Sequence, residues 1–65
     1  MSTYALGSQE QEDGTVARVG TFDSLEEARS KAFASEGWRQ VRDGYWMADG
    51  GVIQQVWAWH IKRID

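Results

Sequence analysis

The 65-residue chain contains no cysteine and a single histidine. The first absence removes disulfides and thiolate metal sites; the second removes a histidine-based structural zinc site. No apolar run approaches the roughly 20 residues that a membrane-spanning helix needs, and no signal-peptide pattern opens the chain. With Met1-Ser2-Thr3-Tyr4 reading as a native start, a cytoplasmic, membrane-free protein is expected. Positive charge is also scarce. Seven Lys and Arg stand against ten Asp and Glu, a formal net charge of −3. A domain of that sign does not attract a phosphate backbone over its whole surface.

Catalytic vocabulary is equally thin. No serine stands in a nucleophile-elbow context. His60 is the one residue whose ordinary pKa lies near neutrality, and the sequence gives it no orienting partner, so it reads as a half-exposed strand histidine. Glu10-Gln11-Glu12-Asp13-Gly14 does not match a calcium loop, because the sixth and twelfth residues from Glu10 are Thr15 and Thr21 rather than glycine and glutamate. Gly50-Gly51 lacks the Lys-Ser/Thr that completes a phosphate loop. No catalytic residue, metal ligand or cofactor is assigned, and the chain is read as no enzyme.

What remains is a single small domain over residues 1–65, rich in large rings. Such a chain buries only about 60% of the surface it exposes when unfolded. Its four tryptophans, at about 150–250 Å² each when packed, are its largest source of stability. Residues 3–8 alternate and predict a short strand. Asp13-Gly14 marks a turn, and the β-branched stretch 15–22 predicts a second strand with Gly20 at a bulge or close approach.

Residues 23–38 carry the signature of a helix. Ser24 with Glu27, or Asp23 with Glu26, forms a capping box. Leu25, Ala28, Ala32 and Phe33 recur at helical spacing. Gly37 suits the left-handed residue that ends many helices, which would set Trp38 against Phe33. Beyond it, Asp43-Gly44 and Asp49-Gly50 predict two tight hairpin turns joining three strands, the last running from Val52 to about Arg63.

Two-residue turns sort the side chains by parity. Val41 would lie opposite Trp46, Trp46 opposite Ile53 and Ala48 opposite Gly51. One face then carries Val41, Trp46, Ala48, Ile53, Gln55, Trp57, Trp59 and Ile61. The other carries Gln40, Arg42, Tyr45, Met47, Val52, Gln54, Val56, Ala58, His60 and Lys62. Small Ala28 and Ala32 leave room beneath the helix for Trp46, Trp57 and Trp59, with Trp57 or Trp59 partly open at the edge. The predicted fold is α+β: a two-layer ββαβββ arrangement of about five short antiparallel strands with one helix packed on one face.

Residues 19–32, VGTFDSLEEARSKA, resemble the strand–turn–helix of AP2-type DNA-binding domains and of the arm-binding domains of phage integrases. The resemblance implies a three-stranded sheet before the helix whose basic residues read DNA. Here the strand before the helix offers only Arg18, three further strands follow the helix, and the net charge is acidic, so the family is not assigned.

In residues 38–46, Arg39 and Arg42 interleave with Trp38, Tyr45 and Trp46, a mixture found at protein-binding hot spots and in clamps for flat anions. The face without a helix is an apolar strip rimmed by polar groups, which marks an interaction site. The candidate partner or ligand residues are Arg39, Arg42, Tyr45, Trp46, Met47, Val56, Trp59 and His60. The leading expectation is a non-enzymatic module that occupies an unidentified protein partner, as an inhibitor or adaptor of the kind phages also encode, and that forms a homodimer. The alternative is a small-molecule binder that stacks a nucleotide-like ligand on a ring and holds its charge with an arginine. Nucleic-acid binding ranks third.

Overall fold

The computed structural model describes residues 2–32, 37–50 and 56–65. It is a small α+β fold of five antiparallel strands and one helix. In chain order these are β1 (Tyr4–Gln9), β2 (Val16–Phe22), α1 (Leu25–Lys31), β3 (Arg39–Arg42), β4 (Tyr45–Asp49) and β5 (Ala58–Arg63). The strands lie in the order β2-β1-β5-β4-β3. The last strand is thus at the centre of the sheet, between the first strand and β4.

Along β5 the side chains alternate between environments. Ile61 and Trp59 pair with Trp46 and Ala48 across β4, and with Leu6 and Ser8 across β1. These positions share one face, and Leu6, Ala48, Trp59 and Ile61 form the buried cluster with Ala28 and Ala32 of the helical segment. Tyr4, Phe22, Leu25, Trp38 and Trp46 pack around it, and the Tyr4 and Trp46 rings meet at 5.8 Å between centroids, tilted by 57°. Close packing needs this match of small helix residues to large sheet residues.

The helix begins as its sequence dictates. Ser24 is extended, and its hydroxyl accepts from the Glu27 amide at 3.1 Å. The helix is shorter than expected: Ala32 is already extended (ψ 140°). Gly37 has the left-handed conformation (φ 81°) but stands five residues beyond that C-cap, so it does not terminate the helix. The expected contact between Trp38 and Phe33 involves a residue outside those described.

Three strand assignments are corrected. The Asp43-Gly44 turn does set Arg42 opposite Tyr45, but a bulge follows, and Gln40 rather than Val41 faces Trp46. Only Gly44 of the two turn residues has positive φ (76°). The second hairpin has no two-residue turn at Asp49-Gly50. β4 continues through Asp49, which pairs with Ala58, and the Gly50 amide donates to the Trp57 carbonyl at 3.0 Å. The Val56 carbonyl occupies the space a Cβ of Gly50 would need, so this glycine serves close approach rather than a turn. Ala48 therefore faces Trp59 instead of Gly51, and Trp46 faces Ile61 instead of Ile53. Both partners move by eight residues, an even number, so the facing of Trp59, Ile61, His60 and Lys62 survives. The expected pairings of residues 52–55 lie outside those described.

The β1–β2 pair also carries a bulge, next to Gly20. Leu6 pairs with Gly20 and Gly7 with Arg18, leaving Val19 as the extra residue, 53% exposed. Among the described residues no helix is long and apolar enough to cross a membrane.

Ile61 and Val41 test the core face. Ile61 is fully buried and Val41 is 52% exposed. Ile61→Val removes one methyl group and should cost about 0.5–1.5 kcal/mol in urea unfolding. Val41→Ala removes two and should stay within about 0.5 kcal/mol. A larger loss at Val41 would place β3 in the wrong register.

Candidate functional site

Parity along the strands assembles the face opposite the buried cluster. It carries Ala5, Gly7 and Gln9 from β1, Val16, Arg18 and Thr21 from β2, and Ala58, His60 and Lys62 from β5. β4 adds Tyr45, Met47 and Asp49, and β3 adds Arg39 and Arg42. The expected site residues therefore separate. Arg39, Arg42, Tyr45, Met47 and His60 come together on this open face. Trp59 is buried among the core residues, and Trp46 is half-buried against them. Val56 precedes β5 and also packs against the core cluster, which corrects its assignment to the open face. Trp57 likewise lies before the strand, and it is exposed (45%) rather than core.

His60 is not half-exposed: it is 7% accessible, at the centre of a hydrogen-bond chain. The Gln9 amide nitrogen donates to the Glu12 carbonyl at 2.9 Å. That turns the Gln9 carbonyl oxygen toward His60 Nε2, 2.8 Å away. Nε2 must then carry the proton, and neutral Nδ1 accepts from the Tyr45 hydroxyl at 2.5 Å. Both ring nitrogens are satisfied in the neutral form. Burial pushes the imidazole pKa below its ordinary 6.5, because the charged form would lose hydration. The histidine that read as a half-exposed strand residue is a structural strut, tying β1, β4 and β5 together. The sequence carried no signal of this, since Gln9 and His60 are far apart along the chain.

The face is also electropositive. Four of the chain's seven Lys and Arg project from it, namely Arg18, Arg39, Arg42 and Lys62, against one strand carboxylate, Asp49. Asp49 pairs with Arg39 at 3.6 Å. Among the described residues Arg18, Arg42 and Lys62 make no ion pair; the other such pair, Arg63–Asp43 at 3.3 Å, lies at the turn. The Arg42 guanidinium sits 4.9 Å over the Tyr45 ring. Between these groups runs an open trough of about 280 Å³, with Ala5 and Gly7 among its lining and Tyr45, His60, Arg18 and Lys62 around it. Among the described residues no three His, Asp or Glu side chains converge as metal ligands.

No protein-family model, curated protein or solved structure matches the chain.

The strut has a pH signature. A folded pKa below the unfolded one means the unfolded chain binds the extra proton first. Stability from His60 is therefore complete above about pH 6.5 and declines as pH falls toward the lower folded value. The single histidine makes the NMR titration unambiguous: its midpoint in the folded protein should lie below 6.5. Urea stability should fall from about pH 7.5 to about pH 5.5, above the ordinary carboxylate range. A midpoint at or above the unfolded value would remove the strut from the account.

Proposed function

We propose that the chain is a non-enzymatic binding module, an inhibitor or adaptor that acts by occupying an acidic protein partner. In this reading the ββαβββ chain forms two layers, with the helix over the tryptophan face and the opposite face free for the partner. The observation that carries it is the segregation of charge. A chain of net charge −3 places four cations and one carboxylate at the strand positions of one face. Complementary potential of this kind steers association and selects partners.

Two observations favour a protein partner over a nucleotide-like ligand. The trough, about 280 Å³, falls just below the roughly 300–1,000 Å³ of small-molecule pockets, and suits a side chain better than a base with its ribose. The Tyr45 ring already has Arg42 over one face, and the Trp59 ring is buried with the core, so both are already engaged. The same charge argues against two copies joining through this face, since an isologous contact would set like cations together.

Affinity capture with intact-complex mass spectrometry tests the reading. Arg18→Glu/Arg42→Glu should preserve the folded spectrum and release the captured protein, and added salt should weaken the complex. Capture unchanged by the double reversal would overturn it. A panel of nucleotides should give no saturable quenching of tryptophan emission. The free protein should scatter light as a monomer of 7.4 kDa.

A further inference from the structure

The trough on the open face has a specific shape and a specific pair of guards. Gly7, in the interior of β1, contributes no side chain to its floor. A Cβ there would run into the Val16 side chain and approach the Ala17 carbonyl oxygen at 3.3 Å. Glycine inside a strand often marks a close approach, and here it is the Val16 side chain that packs over Gly7 and forms that part of the lining. The lining is mainly apolar, through Ala5, Val16 and Ile64. Arg18 and Lys62 line it as well, and neither has an ion-pair partner among the described residues.

The register gives the spacing of those two cations. Arg18 pairs with Gly7 on one side of β1, and Lys62 pairs with Ala5 on the other. Two strand spacings across and two residues along put their Cα atoms roughly 12 Å apart. In an extended peptide, residues two before and two after a given side chain point the same way as it does. They are separated by roughly 13 Å. A carboxylate at each of those positions meets the cations while the central side chain enters the trough.

We propose that this trough anchors one apolar side chain of an extended acidic segment, with carboxylates two residues to either side engaging Arg18 and Lys62. This deepens the preceding reading and rests on it for the existence of an acidic partner, while naming the motif that partner presents. The pattern is acid, any residue, Leu or a side chain of similar size, any residue, acid. The central residue supplies affinity by leaving water, and the flanking charges supply orientation, because exposed ion pairs contribute little energy.

The test uses the full chain, labelled with nitrogen-15, and blocked synthetic peptides. Glu-Ser-Leu-Ser-Glu should shift the amide signals of Gly7, Val16 and His60 saturably. Glu-Ser-Ser-Ser-Glu, which lacks the anchor, should bind about tenfold more weakly or less. Gln-Ser-Leu-Ser-Gln should lose affinity as well, and Arg18→Gln and Lys62→Gln should each weaken the first peptide about two- to fivefold. Both side chains are exposed, so these variants keep the fold. Equal binding with and without the anchor would overturn the proposal, as would shifts confined to other strands or no shifts with any peptide. A short oligothymidylate that produced the same shifts more tightly would replace it with nucleic-acid binding. The two readings fail separately. Peptides that do not bind, beside a captured partner released by Arg18→Glu/Arg42→Glu, would remove the anchor motif alone. Peptides that bind, beside a captured partner indifferent to that reversal, would remove the broader reading.

Discussion

The pairing of β5 between β1 and β4 is the constraint on which the rest of the structure depends. It brings the end of the chain beside its beginning, and its side-chain alternation sorts the molecule into two surfaces. Ile61 and Trp59 point one way, into the cluster with Leu6, Ala28 and Ala48. His60 and Lys62 point the other way, onto the open face. A one-residue slip would exchange the two sets and expose the core, so the hydrophobic side of β5 holds its polar side in place as well.

The open face draws its order from polar contacts. Tyr45, His60 and Gln9 link β4, β5 and β1 through hydrogen bonds, and Gln9 reaches on to the Glu12 carbonyl in the following turn. Each donor in that chain has an acceptor, which is the condition under which buried polar groups rigidify a structure rather than weaken it. The strut gives the trough a fixed wall, and beside it the Val16 side chain takes the space that a Cβ at Gly7 would need. Around this neutral centre stand Arg18, Arg42 and Lys62, which make no ion pair among the described residues, while Arg39 pairs with Asp49. The glutamates and aspartates lie mainly in the turn after β1, at the start of the helix and in the loops. Cations thus outnumber carboxylates at the strand positions of one face although the chain as a whole is acidic.

Much of this was legible locally. The strand of residues 16–22, the cap at Ser24, the tight turn at Asp43-Gly44 and the antiparallel α+β character follow from β-branched runs, a capping box and Asp-Gly chemistry. Arg42, Tyr45, Met47 and His60 fell on one face because parity needs only an even or odd count, and the eight-residue error in the β4–β5 register was even; Arg39 joined them only through the bulge between Gln40 and Arg42, since unbroken alternation would set it on the other face. Trp46 was joined to that group by its place between arginines and Trp59 by the expectation that it could lie partly open, while alternation sends both to the core side of the sheet. Val56 and Trp57 escaped the rule because both precede β5, where no strand alternation applies. The face of Arg18 needed the bulge at Val19, which no local pattern located to the residue.

By itself the sequence determined which segments alternate, where the helix starts and which residues of β5 share a side, because these depend on the nearest few residues. Tertiary structure decided the neighbours. Only the closure of β1 onto β5 makes the last strand central, joins Gln9 to His60 across 51 positions and sets Arg18 and Lys62 on either side of β1. Such pairings are chosen by the burial they achieve together, and no local stretch contains that information.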